Sequence, residues 1–115
     1  MELVALLSSG KGSWAQVAGL IKQGEWDNIL LVGSIFAKKF IPEKKTEFIE
    51  VADAPLVDMK QQILNKLKGK IKGTEVALSI ASGTGKEHMA LISALLSLPA
   101  GIRFTALTKE GIVFM

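Results

Sequence analysis

Residues 76–88 read VALSIASGTGKEH, and the apolar segment MALISALL follows at residues 89–96. An apolar run, then small residues and glycines, then a longer apolar run predicts a strand, a tight loop and a helix. Glycine lets a backbone approach a ligand closely, and a helix start offers unpaired N–H groups at a positive dipole end. Lys86 adds a positive charge beside them. Such a loop suits an anion, most often a phosphate.

A purely structural interpretation of the same loop stays open. Thr84 and Glu87 have the spacing of a capping box, in which both side chains close the first turn of a helix. Capping requires neither Lys86 nor two glycines, and one loop can both cap a helix and bind a phosphate.

A second glycine-rich loop, SSGKGS at residues 8–13, follows the apolar run Glu2–Leu7. The next apolar residues recur at helical spacing, and Gly24 is a plausible end of that helix. Ser13 as N-cap, with Gln16 three residues later, predicts a second capping box. Two strand–loop–helix junctions therefore carry the same chemistry: hydroxyl side chains, two glycines and one lysine.

The same alternation continues along the chain. Further strands are expected at 29–32, 46–51, 76–80, 102–107 and 112–114, and helices at 35–41, from 53 or 54 to about 68, and at 86–98. This order predicts a single α/β domain over residues 1–115 with a three-layer, Rossmann-like, mostly parallel sheet. The expected strand order is 3-2-1-4-5, with a C-terminal antiparallel hairpin strand. The winding then reverses between strands one and four, where both glycine-rich loops meet and where ligands bind in such sheets.

Composition excludes several classes of protein. Of the 115 residues, 49% are hydrophobic and 22% are charged, which excludes a disordered chain. The absence of cysteine excludes disulfides, thiolate chemistry and cysteine–metal sites. With a single histidine and no carboxylate cluster apparent in the sequence, neither a metal nor a cofactor is expected. The dominance of Lys and Glu among the charges is typical of many thermophile proteins.

Charge and hydropathy also limit the partners. A net charge of +3 agrees with an anionic ligand but is too small to indicate binding of duplex nucleic acid. No apolar run approaches the roughly 18 residues needed to span a bilayer, and no charged-then-apolar leader begins the chain. We therefore expect a cytoplasmic protein without membrane contact. The helix 86–98 is apolar almost all round, which predicts a second partner for it, most simply in a homodimer.

The known nucleotide-binding motifs are not completed. Neither loop completes the dinucleotide fingerprint G-x-G-x-x-G. The Walker A pattern fails because Glu87 stands where Ser or Thr would hold magnesium. Kinase-like or NTPase chemistry is therefore not expected.

Residues 81–90, ASGTGKEHMA, follow a fourth strand and open a helix rich in small residues. This pattern resembles the ligand loop of CRISPR-associated Rossmann-fold (CARF) domains, which often carry a Gly-Gly-Thr-Lys-like segment there, and the resemblance extends over essentially the whole chain, including the terminal hairpin. CARF domains are dimers that bind cyclic oligoadenylates across their two-fold axis, and some cleave that ring. The present loop departs from the family pattern by an extra glycine, Gly85, before the lysine.

The resemblance implies a stand-alone binder of a small nucleotide or a metal-independent ring nuclease, with Lys86 as the candidate catalytic residue. In the first-strand loop it matches Ser8, Ser9 and Lys11. In the fourth-strand loop it matches Ser82, Gly83, Thr84 and Lys86. Together with the loop residues beside them, the candidate ligand-binding set is Ser8, Ser9, Gly10, Lys11, Ser13, Ser82, Gly83, Thr84, Gly85 and Lys86.

Two alternatives remain. The loop at residues 8–13 is similar to the Ser-Gly-Gly-x-Asp-Ser loop of ATP pyrophosphatases, although Gly12 replaces the aspartate and Ser9 the second glycine; this implies a degenerate relative that binds ATP or AMP. The chain could equally be a small α/β interaction protein whose loops are only well capped. His88, one turn inside the helix, is expected not to be a required general base.

Overall fold

The computed structural model describes residues 1–8 and 13–115. Within these residues the chain alternates between strands and helices, as the sequence predicts. The strands are β1 (Glu2–Leu7), β2 (Ile29–Gly33), β3 (Glu47–Glu50), β4 (Glu75–Ser79), β5 (Gly101–Thr108) and β6 (Gly111–Phe114). The helices are α1 (Trp14–Gln23), α2 (Leu56–Leu67) and α3 (Gly85–Ser97), with a short 3-10 helix at Ile35–Lys39.

The strands form one sheet in the order β3-β2-β1-β4-β5-β6. All neighbours are parallel except the β5–β6 hairpin, which is antiparallel. This confirms the predicted Rossmann-like α/β fold, with its strand order and its C-terminal hairpin. Because β1 pairs with β2 on one side and with β4 on the other, the winding reverses between β1 and β4.

The core lies on both faces of the sheet, and β1 is buried along its whole length. Val4 and Leu6 pack in the layer that α2 and α3 cover. The alternate residues Leu3, Ala5 and Leu7 pack in the layer that α1 covers. Two-sided burial explains why the first strand is a continuous apolar run instead of an alternating one.

The second predicted capping box, at Ser13 and Gln16, is wrong. Ser13 occupies the N-cap position of α1, but its side chain makes no capping hydrogen bond. The Gln16 amide instead donates to the Leu107 carbonyl at 3.2 Å and accepts from the Leu107 N–H. The pairing of β5 with β4 ends at Phe104, so a side chain from α1 supplies the backbone partner that β4 no longer offers.

Helix α3 buries one face against the sheet and α2, through Ala90, Leu91, Ala94 and Leu95. Met89 and Leu96 remain 56% and 60% exposed. Among the described residues, no helix is long and apolar enough to cross a bilayer.

Candidate functional site

The carboxyl ends of β1 and β4 lie side by side, so the loops that follow them meet. The Ser8 N–H donates to the Ser82 hydroxyl at 2.8 Å, across 74 residues of sequence. Ser82 is buried, and this bond joins the first-strand loop to the fourth-strand loop. Ser82, a predicted ligand residue, therefore already has a structural role.

Thr84 and Glu87 form the predicted capping box at the start of α3. The Glu87 N–H donates to the Thr84 hydroxyl at 3.2 Å, and the Thr84 N–H donates to Glu87 Oε1 at 2.8 Å. The Ser8 hydroxyl also donates to the same Glu87 oxygen, at 3.4 Å. The first four N–H groups of a helix have no partner within it. The box satisfies those of Thr84 and Glu87, whereas those of Gly85 and Lys86 have no acceptor among the described residues.

The two glycines of this loop differ in what they allow. Gly83 has a φ of +105°, and a Cβ there would lie 2.4 Å from Leu6 Cδ2. The fold itself therefore requires glycine at position 83. At Gly85, by contrast, an added Cβ would meet nothing within 4 Å in the part of the chain that the structure describes. Gly85 borders open space.

Lys86 reaches across the crevice to the segment between β3 and α2. Its Nζ donates to Asp53 Oδ1 and to the Ala54 carbonyl, both at 2.9 Å. The Lys86 hydrogen bond and charge hold the pKa of the Asp53 carboxyl below its ordinary value. The pair's small contribution to stability is therefore complete above the ordinary pKa of Asp53 and is lost as pH falls through the lowered one.

A cleft of about 320 Å³ opens at this junction. Four of its residues are outside the predicted ligand-binding set: Met59 and Glu87, which lie on α2 and α3, and the loop residues Asp53 and Ser34. These two loop residues follow the carboxyl ends of strands, β3 and β2, so their position in the predicted sheet was a signal that could have found them. The lining consists of Ser8, Ser34, Asp53, Met59, Thr84, Lys86 and Glu87.

The remaining predicted site residues divide into two groups. Ser9, Gly10 and Lys11 lie outside the described residues. Ser13 is half-buried at the start of α1. The cleft therefore brings together Ser8, Thr84 and Lys86 of the predicted set.

His88 packs beneath the loop. Its Nε2 lies 2.9 Å from the Ser82 carbonyl oxygen, a hydrogen bond that joins the first turn of α3 to the loop after β4. This contact gives the histidine a structural role. Within residues 1–8 and 13–115, no group of three or more His, Asp or Glu side chains could hold a metal ion.

A larger cleft, of about 430 Å³, lies at the opposite, amino end of the strands. The buried carboxylate of Glu2 lines it and accepts hydrogen bonds from the Lys72 and Gly73 N–H groups, both at 2.8 Å, and from the Asn28 amide at 3.2 Å. The carboxylate is thus engaged by the chain itself. The crevice at the carboxyl ends, with its open N–H groups, remains the stronger candidate site.

No known protein-family profile matches the chain, and no curated protein matches it either. Among solved structures, the chain is similar to protein VC1899 from Vibrio cholerae, with a TM-score of 0.57 and 13% sequence identity. The match covers 98% of this chain and 33% of VC1899, so the chain spans about a third of that protein's length. At this identity the similarity shows the Rossmann-like fold alone.

The two glycines provide a matched pair of substitutions. Gly83→Ala should lower the free energy of unfolding by about 1–3 kcal/mol, because it combines a positive φ with a clash against Leu6. Gly85→Ala should leave stability unchanged or raise it by about 0.5–1 kcal/mol, since the site is open and alanine reduces the entropy of the unfolded chain. Urea unfolding of both variants measures the difference. Equal losses would contradict this account of the loop.

Removal of the Lys86 charge should raise the pKa of Asp53. In Lys86→Met the aliphatic stem remains while the hydrogen bond and the charge are lost, so the Asp53 carboxyl should titrate at a higher pH than in the unsubstituted protein. Carboxyl-carbon NMR titration follows each acid separately. Glu50, whose pKa is lowered mainly by Lys38, is the internal control and should not move. An unchanged Asp53 would mean that the pair does not persist in solution.

Proposed function

We propose that the crevice between the β1 and β4 loops binds a phosphate-bearing nucleotide, and that the ligand is a cyclic oligoadenylate. The observation that carries the proposal is the start of α3 at the switch point of the sheet. There the capping box leaves the N–H groups of Gly85 and Lys86 unpaired, and no described residue fills the space beside Gly85. Donors of this kind, at the positive end of a 13-residue helix, favour a phosphate oxygen.

The choice of a cyclic oligoadenylate rests on the resemblance of residues 81–90 to the CARF ligand loop. The strand order and the terminal hairpin are compatible with a domain of that kind. In this proposal the chain is a CARF-like domain, and Thr84 serves two purposes, closing α3 and shaping the loop around the phosphate.

If the ring is cleaved, the reaction requires no metal and no side-chain base. A ribose 2′-hydroxyl held in line with the adjacent phosphorus attacks it, and the bond to the 5′-oxygen breaks. The hydroxyl proton passes through water to that oxygen, so that a 2′,3′-cyclic phosphate and a 5′-hydroxyl result. Lys86, Lys11 and the loop N–H groups would stabilise the charge that develops on the phosphate. The bond between His88 Nε2 and the Ser82 carbonyl agrees with a reaction that does not use His88 as base.

The test of binding compares two variants of the loop. Lys86→Ala should weaken the binding of cyclic tetra-adenylate by about 1.5–3 kcal/mol, as for a hydrogen bond to a charged group. The loss of an exposed ion pair should shift the melting temperature by only about one or two degrees. Thr84→Ala should instead lower the free energy of unfolding by about 1 kcal/mol through loss of the cap. Calorimetric titration and thermal unfolding give the two quantities, and labelled ligand shows any cleavage.

Lys38→Ala is the matched control, because Lys38 also pairs with an exposed carboxylate, Glu50, but does not line the cleft. It should leave binding unchanged. If the unsubstituted protein does not bind cyclic tetra-adenylate, the proposal is wrong. Equal losses in Lys38→Ala and Lys86→Ala would show general electrostatic attraction instead of a site.

We also propose that the protein is a homodimer through the helix 86–98. Met89 and Leu96 lie seven residues apart, on the face of α3 that does not meet the core. Two apolar side chains on one helix face can be buried against the same two side chains of a second copy across a two-fold axis. By the CARF resemblance, the ligand would then lie across the two-fold axis, in contact with both copies of the loop.

Sedimentation should detect this dimer. The unsubstituted protein is expected to have twice the mass of the chain, and Leu96→Glu should convert it to a monomer, because the charge would be buried in the interface. Val57→Glu is the control, since Val57 is also an exposed apolar residue, 74% exposed, but lies on α2 and not on α3. A monomer at all concentrations in the unsubstituted protein would exclude the dimer.

A further inference from the structure

Lys86, the cation of the candidate site, already forms an ion pair with Asp53 of the same chain. Lys86 Nζ donates to Asp53 Oδ1 and to the Ala54 carbonyl at 2.9 Å. An ammonium group has three N–H donors, so one remains for a ligand. The Asp53 side chain is 90% exposed and that of Lys86 42% exposed, so both can be reached by a molecule in the cleft.

The charges of the described cleft residues do not sum to a basic site. Asp53 and Glu87 carry one negative charge each, and Lys86 carries one positive charge. Glu87 is committed to the capping box and stays in place. Asp53 is held mainly by Lys86, with a weaker hydrogen bond from the Ala54 backbone, and is the exposed negative charge that an incoming phosphate meets beside its cation.

A phosphodiester and a phosphomonoester differ in how they respond to such a carboxylate. A phosphodiester carries one negative charge, which one ammonium donor and two helix N–H groups can accommodate. A phosphomonoester has a second pKa near 6, so above neutral pH it carries close to two negative charges. The Lys86 ammonium offsets the first charge, whereas the exposed Asp53 carboxylate beside it repels the second.

We propose that Asp53 makes the site selective for phosphodiesters over phosphomonoesters and polyphosphates. This inference rests on the proposed nucleotide site and specifies its ligand class: a nucleotide without a terminal phosphate. Asp53 positions the Lys86 ammonium and excludes ligands of higher charge, whereas the helix N–H groups supply the general affinity for phosphate.

The test measures charge selectivity by calorimetric titration at pH 8 and low ionic strength. The probes are cyclic tetra-adenylate, AMP and inorganic pyrophosphate. Asp53→Asn keeps the size of the side chain and a hydrogen-bond acceptor but removes the charge. It should tighten binding by about three- to tenfold for each unit of phosphate charge near the carboxylate. AMP and pyrophosphate should therefore gain more affinity than the cyclic ligand.

The matched control is Glu50→Gln. Glu50 is also an exposed carboxylate paired with a lysine, Lys38, and it lies three residues before Asp53 but outside the cleft. This variant changes the net charge of the protein by the same amount. It should leave the ratio of AMP affinity to cyclic-ligand affinity as it is in the unsubstituted protein.

The outcomes separate this inference from the proposed function. If the unsubstituted protein binds cyclic tetra-adenylate and Asp53→Asn leaves the ratio unchanged, or weakens all ligands equally, selectivity by Asp53 is wrong and the nucleotide site stands. If neither nucleotide binds but Asp53→Asn gains pyrophosphate binding, charge exclusion by Asp53 is supported and the nucleotide function is wrong. If no probe binds either protein, both are wrong.

Discussion

The structure depends on the burial of β1 between two neighbours and two helical layers. All six residues of this strand are buried, and the side chains of Leu3–Leu7 alternate between the layer of α1 and the layer of α2 and α3. The part of a strand that is covered on both faces favours apolar side chains, and its backbone must find hydrogen-bond partners at both edges. β2 and β4 supply them, and the reversal of winding between β1 and β4 follows. The strand pairing that buries β1 therefore also produces the crevice.

In the β4 loop, residues that serve the fold lie directly beside the groups that we propose for ligand binding. Ser82 and Gly83 are used by the fold, through the bond from Ser8 and the approach to Leu6. Thr84 and Glu87 close the helix. Fewer groups than predicted remain for a ligand. Among the described residues they are two N–H groups, the open side of Gly85 and one donor of Lys86. A site of this size suits a single phosphate group.

The proposed anion site depends mainly on Lys86, and the pairing of Lys86 with Asp53 changes the charge that the site offers to a ligand. As an isolated lysine in a glycine-rich loop it indicates simple attraction of any anion. Paired with Asp53 it offers less net charge and a fixed direction, because the Ala54 carbonyl holds it as well. In the proposed site, binding would then depend on the charge of the ligand as well as on its shape, which is a basis for specificity.

The sequence by itself determined the features that arise from near neighbours along the chain. The apolar runs and glycine-rich breaks placed the strands, and their alternation with helices indicated a parallel sheet in the common doubly wound strand order. The Thr84–Glu87 box was predictable since its partners are three residues apart. The tertiary structure alone decided the contacts between distant residues: Asp53 with Lys86 across 33 residues, and Gln16 with Leu107 across 91. Ser13 and Gln16 have the same local pattern as Thr84 and Glu87. The Gln16 amide nevertheless bonds to the Leu107 backbone, which has no partner on β4. A local pattern predicts which bonds a side chain can make, and the packing of the helices and strands determines which of those bonds forms.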